Sequence, residues 1–111
     1  MANNYKRLGA TVVVAATATG LYTVPASHEA IVKTIVVCNI GASSRTFRIA
    51  IVDGAIGDVA DQDYLFYDVT IGANDSLIIT GTFSMIATDT ILVYASHAEV
   101  VFSCFGDELD V

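Results

Sequence analysis

The sequence predicts an all-β protein: one antiparallel β-sandwich of about eight strands, jelly-roll or immunoglobulin-like. Three observations carry this. Apolar residues almost never recur at helical three- and four-residue intervals, while short runs rich in Val, Ile, Thr, Tyr and Phe fill the chain. Clusters of Gly, Pro, Asn, Asp and Ser separate those runs at short intervals, the spacing of a sandwich or barrel. And 111 residues suffice for one core and leave no room for a second.

Strands are expected at about 10–16, 21–24, 30–39, 46–52, 64–71, 76–83, 90–96 and 99–105. The first lies within KRLGATVVVAATATG (6–20), which has the outline of an export signal, with two basic residues, an apolar run and a small-residue end. Its Thr11-Val12-Val13-Val14 core is β-branched and favours extended backbone, so it reads as retained structure. Residues 1–20 are accordingly assigned to an arm or first strand, 21–106 to the sandwich body and 107–111 to an acidic tail. The breaks are chemically legible: Pro25 in VPASHE, Gly41 and two serines in NIGASSR, Asn74 and Asp75 in IGANDS, and a tight hairpin at ASHAE. The stretch VDGAIGDVADQD (52–63) reads as a long solvated acidic loop.

In 47–51 the odd positions are apolar and Arg48 points the other way, which predicts a strand with one solvated face. Residues 31–38, except for Lys33 and Thr34, and residues 91–94 are apolar on both faces. Such strands need cover on both sides, one from the core and the other from a neighbouring subunit. Candidate interface residues are Val12, Val14, Tyr22, Ile91 and Tyr94, the tyrosines because each joins apolar area to a polar tip.

Composition points the same way. Hydrophobic residues make up 54% of the chain and charged residues only 15%, against about 25% charged in ordinary domains. That is more apolar side chain than a domain of this size can tuck away, so a self-associating or docked protein is expected. The net charge is −7, with Lys6, Arg7, Lys33, Arg45 and Arg48 as the only fixed cations. Nucleic acid and anionic membrane are therefore not expected as partners. No run approaches the roughly 20 apolar residues of a membrane span.

Chemistry-bearing motifs are missing. His28 and His97 stand far from Cys38 and Cys104 without ligand spacing, so zinc is not expected. The two thiols read as small apolar core groups and not as a bridge. No serine has a nucleophile-elbow setting with a base and an orienting acid, and the Asp58, Asp61, Asp63 and Asp68 carboxylates read as loop residues, not a glycosidase pair. The same loop does not follow the EF-hand ligand order, and with no helix there is no phosphate-cradling loop. Neither an enzyme nor a cofactor is expected.

Taken together, NYKRLG (4–9), LYTVPA (21–26), IVVCNIG (35–41), TFRIAIVDG (46–54), DYLFYDVTIGANDSL (63–77), DTILVYAS (89–96) and VVFSCFGDE (100–108) resemble small virion structural proteins of tailed bacteriophages, especially those of cyanobacterial hosts. Ser27-His28 departs from the pattern, where a Gly-containing turn is expected. The resemblance implies a β-sandwich without catalytic residues, assembled in the host cytoplasm and carried on the virion. It implies capsid decoration or cementing, as a homotrimer binding the major capsid protein or another virion protein. A tail, neck or fibre component, or a glycan-binding host-surface module using Tyr64 and Tyr67, are its alternatives.

Overall fold

A computed structural model describes residues 3–110. The strands are β1 (Asn3–Val12), β2 (Thr19–Thr23), β3 (His28–Asn39), β4 (Arg45–Asp53), β5 (Tyr64–Ile71), β6 (Ser76–Met85), β7 (Asp89–Ala95) and β8 (Val100–Asp110). They form two four-stranded sheets, ordered β1-β8-β3-β6 and β2-β7-β4-β5, with every pairing antiparallel. Strands consecutive in sequence mostly alternate between sheets, which is the double Greek key of a jelly roll. Of the two expected sandwich types, the topology selects the jelly roll. Among the described residues no helix is long and apolar enough to cross a membrane.

Period-two alternation turns one face of each sheet inward. From β1-β8-β3-β6 come Val32, Ile35 and Val37 of β3 and Phe102 and Cys104 of β8; from the facing sheet come Phe47 and Ile49 of β4 and Ile91, Val93 and Ala95 of β7. Phe47 and Phe102 meet across the core edge to face, with centroids 6.1 Å apart. Asn39 is the buried polar exception. Its Nδ2 donates to the carbonyls of Ser43, Ile71 and Gly72, and its Oδ1 accepts from the Gly41 N–H. One buried side chain thus ties the turn after β3 to the end of β5.

The expected division of the chain needs correction at both ends. Residues 107–110 are not a tail but the end of β8, and the boundary drawn at residue 20 falls inside β2. The reason is electrostatic. Glu108 faces Lys6 at 3.5 Å, Asp107 faces Lys33 at 3.8 Å, and Asp110 contacts His28 Nε2 at 2.7 Å. The basic residues that gave the N-terminus its signal-like outline are strand residues beside the acidic end of the chain. In the VPASHE turn Ser27 takes the left-handed φ of 61° that glycine adopts without strain, so the turn expected there forms with a serine.

Candidate functional site

The two sheets treat their outer faces differently. On β2-β7-β4-β5 the outward residues of β4 and β7 pair as Arg48 with Tyr94, Ala50 with Leu92 and Val52 with Thr90. Gly54, at φ 104°, lets the chain double back after β4 onto this face. The returning segment forms two single 3₁₀ turns, Ile56–Asp58 and Asp61–Asp63, and lays Ile56 and Val59 over Ala50, Val52 and Leu92. Ala60 N–H donates to Asp63 Oδ2 at 2.9 Å and fastens the second turn. Three expectations are corrected here: the solvated loop expected at 52–63 is, beyond β4, an apolar lid carrying acidic residues on its outside; the face of β4 expected to be solvated holds Ala50 and Val52 at 0% exposure; and the second face of β7 is covered by the chain itself instead of a subunit.

The outer face of β1-β8-β3-β6 has no such lid. Register places Val12, Val101, Cys38 and Ser76 in one row across the sheet and Ala10, Ser103, Val36 and Ile78 in the next. Phe105 lies between Arg7 and Thr34, and Ile31 between Asp107 and Ser84. Val12 is 54% and Ile78 64% exposed, while Val36, Cys38, Val101 and Phe105 are half-buried. At one end Ile31, Ile86 and Leu109 line a shallow hollow of about 170 Å³. The edge strand β6, SLIITGTFSM, has no charge and no proline along its ten residues. Charged residues, prolines and strand bulges are the usual guards of a sheet edge. Edge β1 carries Lys6, Arg7 and a register break at Arg7/Gly9, and edge β5 carries Asp68 and a register break, whereas β6 has only its register break opposite Val32/Thr34 of β3.

The five interface candidates do not share a face. Val12 lies on the open sheet, and Val14, 67% exposed, follows it just beyond β1. Ile91 is corrected to the core, where it is 0% exposed. Tyr22 packs against the core and its hydroxyl donates to Glu108 Oε2 at 2.6 Å. Tyr94 is on the opposite sheet, beneath the Arg48 guanidinium at 4.4 Å. The sequence reading missed Val101, Phe105 and Ile78, and held Val36 only within the two-sided run 31–38. Alternation in FSCF and VVCN contained the signal, since inward Phe102 and Cys104 force Val101, Ser103 and Phe105 outward.

The cysteines follow the same rule. Cys104 faces the core and Cys38 the open face, and opposite sides of one sheet exclude a bridge between them. Burial pushes the Cys104 thiol up to about 12, so it stays protonated as an apolar core group. Among the described residues no three His, Cys, Asp or Glu side chains gather as a metal-holding group.

The Tyr22–Glu108 contact closes one end of the sandwich. The Tyr22 hydrogen bond holds the Glu108 carboxyl below its ordinary value, outweighing partial burial, with Lys6 adding to the effect. A depressed carboxyl stabilises the fold above its unfolded pKa and loses that contribution as pH falls through the folded value. Tyr22→Phe should therefore cost about 1.5–3 kcal/mol at pH 7, the range of hydrogen bonds to charged groups. Urea unfolding should show the gap from wild type narrowing in acid as Glu108 protonates. A gap that stays constant down to the acid limit of folding would mean that the charged carboxylate is not what the hydroxyl serves.

No family model matches the chain, and no curated protein matches it. Solved structures do. A Bacillus endospore appendage protein, described as belonging to a novel family of disulfide-linked pili, aligns with 99% of this chain and 88% of its own at 14% identity and TM-score 0.56. Two crystal structures of a pentameric capsid protein isolated from metagenomic phage sequences align with 98% of this chain at 16% identity, with TM-scores of 0.40 and 0.41. This chain spans 60% and 62% of their length. At 14% identity the likeness to the appendage protein is one of fold.

Proposed function

We propose that this chain is a non-enzymatic structural protein that works by associating with copies of itself, and that its setting is the virion of a tailed bacteriophage, where it decorates the capsid. The observation that carries the assembly reading is the uncovered apolar face of β1-β8-β3-β6, running out to the uncharged edge of β6. The same chain roofs its other sheet with Ile56 and Val59, so an open apolar face is not the general condition of its surface. A contiguous apolar patch rimmed by Lys33, Asp107 and Arg7 is the form a protein–protein contact takes. The endospore appendage protein that shares the fold forms pili, and a jelly roll built into a larger object is the use proposed here. Val12 and Val14 belong to the proposed contact. The virion setting rests on the sequence resemblance, and homotrimers bound to the major capsid protein are its specific form.

Ile78→Lys tests the face, because Ile78 is exposed and its loss leaves the core intact. Sedimentation should show wild type associating at micromolar concentration and the variant at least about tenfold more weakly, with unchanged thermal unfolding of the isolated chain. A wild type that stays monomeric at high micromolar concentration would overturn the assembly reading. Electron microscopy of particles labelled through this protein tests the setting: label over the shell supports decoration, and label confined to one vertex or the tail supports a tail or neck component.

A further inference from the structure

On the lidded sheet, away from the assembly face, β5 builds a second feature. Pairing of β4 with β5 slips between Phe47/Val69 and Ile49/Phe66, so Tyr67 and Asp68 together oppose Arg48. Asp68 takes a left-handed φ of 52° to make this bulge. Bulges re-aim side chains, and this one sets Tyr67 and Asp68 together against one guanidinium. Asp68 holds Arg48 Nε at 2.6 Å and Nη2 at 3.3 Å, and the guanidinium lies 4.1 Å from the Tyr67 ring and 4.4 Å from the Tyr94 ring. Arg48 is thus fully engaged, and Tyr67 is fixed by it. Tyr64 meets Tyr67 edge to face at 4.9 Å. Beside this pair opens a cleft of about 310 Å³ lined by Tyr64, Tyr67 and Asp61.

The chemistry of the lining selects its ligand. Two aromatic rings present negative quadrupoles, and cations sit over such rings. Asp63 and Asp68 spend their carboxylates on Ala60 and Arg48. Among the described residues the Asp61 carboxylate makes no hydrogen bond or ion pair. A phosphate-bearing ligand is disfavoured by Asp61 and by the net charge of −7. We propose that the Asp61–Tyr64–Tyr67 cleft receives a basic side chain, the ammonium of lysine or the guanidinium of arginine, from a partner protein. Arg48 against Tyr67 already shows a guanidinium held by this aromatic group within the chain.

The test is an NMR titration of the intact protein with Nα-acetyl-arginine amide and Nα-acetyl-lysine amide. The uncharged controls of matching shape are Nα-acetyl-citrulline amide and Nα-acetyl-norleucine amide. Shifts should centre on residues 61–68, with dissociation constants on the order of 1–50 mM for a single exposed side chain and controls at least about fivefold weaker. Asp61→Asn, an exposed position, should weaken binding about two- to fivefold, and Tyr67→Leu should abolish it while circular dichroism stays native. Equal binding of the uncharged controls would overturn the proposal. So would stronger shifts from methyl glycosides, which would make the cleft a saccharide site, or from phosphocholine, which would make it a headgroup site. None of these outcomes touches the assembly reading, which rests on the other sheet.

Discussion

Gly106→Ala is expected to destabilise the protein by at least about 3 kcal/mol, the upper range for forcing extra volume into a packed interior. Gly106 sits in β8 between Val32 of β3 and Lys6 of β1. A methyl group there falls on the carbonyl oxygen of Ile31, with Val32 Cα at 2.9 Å and Ile31 C at 3.0 Å. These are backbone atoms, so no rotamer change relieves the clash. Relief requires parting β3 from β8, the two central strands of the open sheet, next to the register break at Lys33. For a domain of this size the loss corresponds to a melting temperature lower by roughly 12 °C. Gly57→Ala is the control, because nothing lies within 4 Å of a methyl group at that position. If the two variants melt within about 2 °C of each other, β3 and β8 do not approach as closely at Gly106 as the structure requires.

That close approach could not have been read from FGDE, where Gly106 looks like a turn glycine ahead of an acidic tail. Local reasoning supplied strand positions well, because alternation and turn chemistry are short-range properties: Phe47, Arg48 and Ile49 take the expected sides of β4, and Asn74 turns at φ 54° as an Asn/Asp turn should. It failed where a residue's surroundings come from distant sequence. Residues 107–110 looked like a solvated tail because their partners Lys6, His28 and Lys33 lie about 75–100 positions away. Ile91 looked like an interface residue because 91–94 is apolar on both faces and local pattern does not say which face turns inward: Ile91 faces the core, and the outward Leu92 lies under Ile56 and Val59, hidden in a segment whose aspartates dominate its appearance. For the open face, excess apolar composition pointed to apolar side chains left outside the core, and the apolar two-sidedness of 31–38 placed part of them on β3. Strand order was needed to bring Val12, expected from sequence, into one face with Val101 and Ile78, which lie on two other strands. The Arg48–Tyr67–Asp68 arrangement depends on a bulge, and no local pattern announces a one-residue slip in pairing.

Phe102→Ala is expected to cost about 3–5 kcal/mol, a large share of the 5–15 kcal/mol that holds a typical domain together. Phe102 belongs to the same sheet as Ile78 but faces the other way, fully buried against Phe47 of the opposite sheet. Truncation removes the transfer energy of the ring and leaves a cavity between two sheets that cannot close without tilting eight strands. The two substitutions therefore separate the two faces of one sheet. Phe102→Ala should lower the urea midpoint at every protein concentration, with little change in the association of the molecules that remain folded. Ile78→Lys should weaken association and leave the midpoint of the isolated chain in place. A cost below about 1 kcal/mol for Phe102→Ala, or a loss of association without loss of stability, would mean that Phe102 does not bridge the sheets. In that case the apolar surplus would not be divided between an inner and an outer face, and the open face of β1-β8-β3-β6 would lose its claim to be the surface built for contact.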